Sequence, residues 1–326
     1  MPIIWIFLDG VGLGKDDPAV NPWAAVQDPT LIAVEGRGPT LPGAVMRPLD
    51  ATLGVEGLPQ SATGTTALLT GYNAPADLGM HKSGFPNKRL QAIIDEHSIH
   101  KQALALGLNP TFANAYNEAY FTRPLNRQSV TTHAVRAAGM PFRMMEQYRN
   151  GEAVFHDLTG ELIRVQGNTD KLDLPREGKA RATKRYVRDH DTFVARMREL
   201  DLPVIAPEEA GRRIAALAPE HDLILFEYVK TDMAGHARDP EWAASVVDEV
   251  MRFLRVILEH MPEDSTLLIG SDHGNSEDLT VKTHTLNPVP AVAAGPAAEE
   301  ILDGCHCITD LVPAVLRALQ NRRRTA

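Results

Sequence analysis

Four apolar runs frame the chain, and each leads to residues with chemical capability. Residues 3–8 are continuously apolar and mostly β-branched or aromatic, which predicts a central parallel strand covered on both faces. The runs 223–228 and 267–270 predict two further strands, the second short and bounded by polar and turn residues, and 289–293 predicts another. Helical spacing fills the gaps. Residues 207–217 carry Pro207 in the first turn with acidic residues after it, as a helix start favours, and 242–260 form a long amphipathic stretch. Strands alternating with helices predict an α/β fold with a mostly parallel sheet.

Between these parts the pattern is less regular. Residues 75–204 read as an inserted, smaller α+β cap, leaving a core made of 1–74 and 205–326. Within it, 90–106 predicts a helix, 110–116 a strand entering a turn, and 154–165 a β-hairpin around Thr159 and Gly160. The loop 80–89 and the stretch 178–188 are basic. Lys82, His133, Arg136 and Arg143 are candidates for gripping the non-reacting part of an anionic substrate. Solvated surface charge is the alternative role for each.

Composition narrows the classes. At 326 residues the chain exceeds an average domain, so an α/β domain with an insertion is a natural size. A net charge of −9 argues against a general nucleic-acid binder, so an anionic substrate would need locally placed cations. No apolar run approaches the ~20 residues that span a bilayer, and residues 1–8 lack the length and basic lead-in of a signal peptide. A cytoplasmic protein is expected. Its two cysteines, Cys305 and Cys307, are expected to be reduced thiols.

The candidate chemistry sits where the apolar runs end. Asp9 closes the first run and precedes Gly10, Gly12 and Gly14. These glycines approach a dinucleotide fingerprint, but Pro18 and Pro22 interrupt the helix it would require. Ser61 lies among small residues just before a helical pattern that becomes clear at Ala67. A hydroxyl at a helix start is either a nucleophile beside free N–H groups or a simple cap. Thr63 and Thr65 remain alternative nucleophiles. Asp232 and His236, four apart, share one face of a helical turn and can reach one ion. Asp272 and His273 follow the 267–270 strand, and His284 comes shortly after. Carboxylate with imidazole suits divalent zinc or manganese, and magnesium less.

These motifs, in this order, resemble the alkaline phosphatase superfamily, and most closely its cofactor-independent phosphoglycerate mutase and phosphopentomutase branch. The resemblance is carried by Leu8-Asp9-Gly10, by Leu58-Pro59 with Ser61-Ala62 and Gly71, by Val229-Lys230-Thr231-Asp232 with Gly235-His236, by Ser271-Asp272-His273-Gly274-Asn275 with Glu277, and by Thr283-His284-Thr285 with Asn287-Pro288-Val289-Pro290. It spans about residues 1–74 and 205–320. It implies a three-layer, alkaline-phosphatase-like core, one ion held by Asp232, His236 and His284, and a second held by Asp9, Asp272, His273 and the Ser61 oxygen. Two such ions about 3.5–4 Å apart support in-line phosphoryl displacement. Ser61 would then be the nucleophile and a small phosphorylated metabolite the substrate.

The stretch after Ser61 lacks the acidic residue and histidine usual in bacterial mutases, and the insertion is shorter than theirs. No Cys/Ser-x-Pro-x-Arg pattern of a sulfatase surrounds Ser61. The expectation is therefore a phosphomonoester hydrolase. A phosphomutase and a non-catalytic metal-binding protein are the alternatives.

Overall fold

The computed structural model describes residues 1–26, 34–160 and 203–323. Strand β1 (Ile3–Leu8) is fully buried and flanked on both sides by parallel partners, β6 (Leu223–Tyr228) and β7 (Thr266–Gly270). The six-stranded sheet has the order β2-β8-β7-β1-β6-β3, with β2 at Ala44–Leu49, β3 at Pro110–Phe112 and β8 at Val289–Ala294. Strand β8 runs antiparallel to both β7 and β2, and β3 is parallel to β6. A second, two-stranded pair joins β4 (Ala115–Tyr116) to β5 (Arg143–Met144).

The period-two alternation of side chains divides the central strands between two cores. Ile3, Trp5, Phe7, Leu223, Leu225 and Leu268 face one side. There they pack with helices α1 (Ser61–Thr70), α2 (Ala74–Leu78), α3 (Lys88–His97), α4 (Ile99–Ala105), α5 (Val130–Ala137), α10 (Ala298–Leu302) and α11 (Leu311–Arg323). Ile4, Ile6, Leu8, Ile224, Phe226 and Ile269 face the other. Helices α6 (Met145–Arg149), α7 (Pro207–Ala216), α8 (Lys230–Ala237) and α9 (Pro240–His260) cover that side. Helix α9 starts at an Asp239 cap and buries Val246, Val250, Phe253, Leu254 and Ile257 along one stripe. Truncating the buried Phe253 to alanine would cost about 3–5 kcal/mol.

The expected strands at 3–8, 223–228, 267–270 and 289–293 are present, as are the helices at 207–217 and 242–260. Differences have local causes. The 90–106 segment is two helices, broken at Ser98, whose extended backbone and Oγ donation to Ala134 O pin the junction to α5. Helix α1 begins at Ser61, six residues before its apolar pattern shows. Thr66 and Thr70 hydroxyls donate back to the carbonyls of Ala62 and Thr66, so polar residues are absorbed inside a buried helix. Strand β2 has no counterpart in the sequence reading because Arg47 and Pro48 interrupt its pattern, and proline is tolerated at a sheet edge.

Strand β3 falls inside the 75–204 stretch yet pairs with Leu223–Leu225, so that part of the stretch is continuous with the main sheet. In 154–160 a bridge joins Phe155 to Leu158, so the turn comes earlier than Thr159-Gly160. The rest of that expected hairpin and the basic stretch 178–188 lie outside the described residues. Among the described residues no helix is long and apolar enough to cross a membrane.

Candidate metal centre and its cavity

Strands β1, β6 and β7 run parallel, so their carboxyl ends open at one edge of the sheet, where ligands gather in open α/β folds. Asp9 follows β1 directly. Asp272 and His273 follow β7, and α8, which opens two residues past β6, carries Asp232 and His236. Two groups of these side chains have ligand atoms close enough for one ion: Asp232 with His236 and His284, and Asp9 with Asp232 and His273. In the first, Asp232 lies 3.4 Å from His236 Nε2 and 3.6 Å from His284 Nε2. The other ring nitrogens face backbone carbonyls, His284 Nδ1 at 2.7 Å from Pro59 O and His236 Nδ1 at 3.2 Å from Lys282 O. Such contacts fix a histidine's tautomer and leave Nε2 for a metal.

In the second group, three oxygens converge on one nitrogen. His273 Nε2 is 3.1 Å from Ser61 Oγ and 3.5 Å from both Asp9 Oδ1 and Asp272 Oδ2. A single N–H satisfies one of them, and Asp9 Oδ1 is buried without a hydrogen bond. Burial first, then repulsion from Asp232 and Asp272, pushes the Asp9 carboxyl well above its usual range. Burial likewise pushes Asp272 to about 7 against a bond from Thr65 that favours its charge, and burial holds His273 and His284 below the usual imidazole value. Clustered carboxylates, neutral imidazoles and an orphaned oxygen are what a divalent cation would relieve. The donor set therefore fits two ions, with Asp232 common to both groups.

Close packing around the loops makes this possible. Gly10 has φ +68°, and a Cβ there would lie 2.7 Å from Asp232 Oδ1. At Gly12 a Cβ would overlap Glu277, whose carboxylate accepts from Gly12 N and Asn275 N at 2.9 and 2.7 Å and from Thr285 and Asn287 side chains. Glu277 thus ties the β1 loop, the β7 loop and the His284 segment together. Asn275 Nδ2 donates to Asp232 Oδ1 at 2.6 Å, and Thr231 Oγ1 donates to Asp9 O at 2.5 Å.

Ser61 is the first residue of α1. The helix is capped by Gln60 without a side-chain bond, so the Ser61 hydroxyl points to His273 and does not serve as a cap. Thr65 is bound to Asp272, and Thr63 to Gln60 O and to Lys82 backbone. Asp9, Ser61 and Thr65 floor a cavity of about 230 Å³ whose other walls are Gly84, Phe85, Tyr120, Ser129, Val130, His156, Glu227 and Val229.

The four cations expected to grip substrate do not line it. His133 Nε2 sits 2.9 Å from Leu125 O, and Arg136 donates to Gln128 Oε1 at 2.6 Å. Arg143 is bound to Thr111, Glu152 O and His221, beside the start of β6 and so at the opposite end of the sheet from Ser61. Lys82 Nζ donates to Ser83 O, one residue from the lining Gly84. Conversely, Glu227 and His156 were not singled out from the sequence. The charge in an otherwise apolar strand was a signal for Glu227. His156 had none.

Residues 205–312 match the model of the metalloenzyme superfamily. The 2,3-bisphosphoglycerate-independent phosphoglycerate mutase of Cereibacter sphaeroides is 30% identical over 131 residues, 37% of this chain and 26% of that protein. That of Ruegeria pomeroyi is 35% identical over 120 residues, 34% and 23% respectively. The chain thus spans about a quarter of the length of the curated relatives it matches. Among solved structures, a protein from Pyrococcus horikoshii superposes with a TM-score of 0.55 at 13% identity, over 98% of this chain and 97% of that one. The cold-active alkaline phosphatase of a Shewanella species gives 0.53 at 12%, over 98% and 100%. The fold is alkaline-phosphatase-like, and the superfamily indicated by the sequence motifs is the one whose model matches.

Proposed function

We propose that the chain is a metal-dependent phosphoryl-transfer enzyme that hydrolyses a small phosphomonoester through a phosphoserine on Ser61. The observation that supports this most is the convergence of Ser61 Oγ, Asp9 and Asp272 on His273 Nε2 beside an open cavity. Asp232, His236 and His284 would hold one ion, and Asp9, Asp272, His273 and Ser61 the other, with Asp232 within reach of that second ion as well; zinc or manganese suits these donors better than magnesium. Bound there, the ions would lower the pKa of the serine hydroxyl and offset charge on the phosphoryl oxygens.

The chain's own groups do the rest. Ser61 stands at the amino end of a ten-residue helix, whose dipole favours an incoming phosphoryl group. The Oγ–P bond forms as the ester P–O bond breaks and the alcohol leaves. Water then cleaves the Oγ–P bond and restores Ser61. Isomerisation, the activity in the relatives' names, is the second reading. It requires the dephosphorylated substrate to be retained, and among the described lining residues no lysine or arginine is available to hold an anionic one. This favours hydrolysis.

The test is turnover of a phosphorylated-metabolite panel by metal-reconstituted protein, followed for free phosphate and for isomer. Phosphate release that Ser61→Ala abolishes, by at least about a thousandfold with bound metal retained, is expected. Isomer without phosphate would replace hydrolase with mutase. Turnover unchanged in Ser61→Ala would move the nucleophile to another hydroxyl.

A further inference from the structure

The cavity wall opposite the ion groups is built from hydroxyls that end on a buried carboxylate. Glu227 is a charged residue in an apolar strand. Period two places it on the Leu223 and Leu225 face, towards α5, at the carboxyl end of β6. Its backbone N–H and C=O both bind the Asn114 side chain, Nδ2 donating to Glu227 O at 2.7 Å and Glu227 N donating to Oδ1 at 2.9 Å. Thr131 Oγ1 donates to Glu227 Oε2 at 2.7 Å, and His156 Nε2 is 3.4 Å from the same oxygen. Among the described residues nothing bonds Oε1.

From Thr131 the chain of hydroxyls continues through Ser129 Oγ at 2.8 Å to Thr132 Oγ1 at 2.8 Å, and on to Tyr120 at 2.9 Å. Glu227, His156, Ser129 and Tyr120 all line the cavity that holds Ser61. Both Glu227 and His156 are more than nine-tenths buried, and His156 Nδ1 has no hydrogen bond.

Resting on the phosphoryl-transfer reading above, we propose that this wall recognises hydroxyl groups on the non-phosphorylated part of the substrate, so that neutral polyol or sugar phosphates are preferred to phosphoesters bearing a carboxylate. The open Oε1 of a fixed carboxylate accepts from a substrate hydroxyl, while the Ser129 and Tyr120 hydroxyls, already bonded to Thr131, Thr132 and the Thr132 and Ser129 amides, hold the wall in place. A substrate carboxylate in the same place meets Glu227 as a like charge, with no lysine or arginine among the described lining residues to offset it. Discrimination follows from the buried wall groups that one substrate satisfies and the other leaves unpaired.

Glycerol 3-phosphate and 3-phosphoglycerate make the test, because they differ only in a CH₂OH against a carboxylate. With the metal-reconstituted full chain, kcat/KM for the polyol ester should exceed that for the carboxylate ester by at least about tenfold. Glu227→Gln should shrink that ratio at least about fivefold, mostly through KM, because it removes the like charge and weakens the acceptor. Thr131→Val should shift it in the same direction and serves where Glu227→Gln lowers the melting temperature or bound metal. Turnover of 4-nitrophenyl phosphate, compared between wild type and Ser61→Ala, reads the phosphoryl-transfer centre separately.

A preference for 3-phosphoglycerate, or a ratio that neither folded variant moves, overturns the wall while Ser61-dependent aryl phosphate turnover leaves the enzyme reading standing. A preference for phosphoethanolamine that Glu227→Gln abolishes would make the wall an ammonium site and also overturn it. Absence of Ser61-dependent turnover of every ester removes the enzyme reading and the wall with it.

Discussion

The two ion groups share Asp232 but sit in different surroundings. His236, on the rim, has a side chain 45% exposed, and its Nδ1 already faces a backbone carbonyl. Around the inner group, the His273 and Asp272 side chains are fully buried, Asp9 Oδ1 has no hydrogen bond, and burial opposes charge on Asp9 and Asp272. Solvent can stand in for a cation at the rim. Inside, it reaches Asp9 and Ser61 from the cavity but not Asp272 and His273, around which unpaired charge is costly. The inner ion should therefore be held tightly and contribute to folding, whereas the rim ion should exchange readily.

The largest effect that would test this contrast comes from the shared carboxylate. Asp232→Asn should release both ions and lower turnover by about a thousandfold, equivalent to several kcal/mol of lost charge stabilisation. Metal analysis of the purified variant checks it. Full occupancy there would mean that Asp232 ligates neither ion, and the two groups would have to be drawn again without it.

A smaller and more selective effect is expected at the rim. His236→Gln should lose one ion and keep the other, with that ion's affinity down by about a hundredfold and activity partly restored by excess metal. Loss of both ions together would break the distinction between rim and interior and make the centre a single cooperative unit.

The inner group was the more legible of the two surroundings, for a physical reason. A strand buried on both faces must be continuously apolar, so the end of the 3–8 or 267–270 run is sharp, and the next polar residue stands at the sheet's edge. Asp9, Asp272 and His273 were found that way. Asp232 and His236 needed only helical spacing. The cap-side wall was hidden because its parts come from distant segments. His156 reaches Glu227 through a backbone bond from Val229 N to His156 O, which no local pattern announces.

Arg143 lies away from the cavity for a related reason. Composition shows that Arg143 is positive, but it does not show which end of the sheet the arginine will face. His221, beside the start of β6, settles that against the site. Helix α1 is an intermediate case: Ser61 was placed at a helix start, but internal hydroxyl bonds concealed where the helix began.

The finest test concerns protons, which compete with metal for the inner group. Asp272 has its folded value raised from 3.8 to about 7, so the stability its neutral form contributes is complete below about 4 and is lost as pH rises through about 7. His273 and His284 act in the opposite sense. Their folded values are lowered, so metal-free protein loses stability as pH falls below their ordinary value of 6.5. A melting curve of wild type alone mixes the two trends. The difference between metal-free wild type and Asp272→Asn reports the carboxylate together with its pull on Asp9 and His284, whose values its charge raises, while asparagine stays neutral throughout. Wild type should fall relative to the variant by on the order of 5 °C between pH 4 and pH 7.5. Adding zinc or manganese at pH 7.5 should reverse that sign, since a cation stabilises the charged carboxylate that burial disfavours. A difference that stays flat with pH would mean that Asp272 is already compensated without metal, and the contrast between an inner group that needs its ion and a rim group that does not would lose its physical basis.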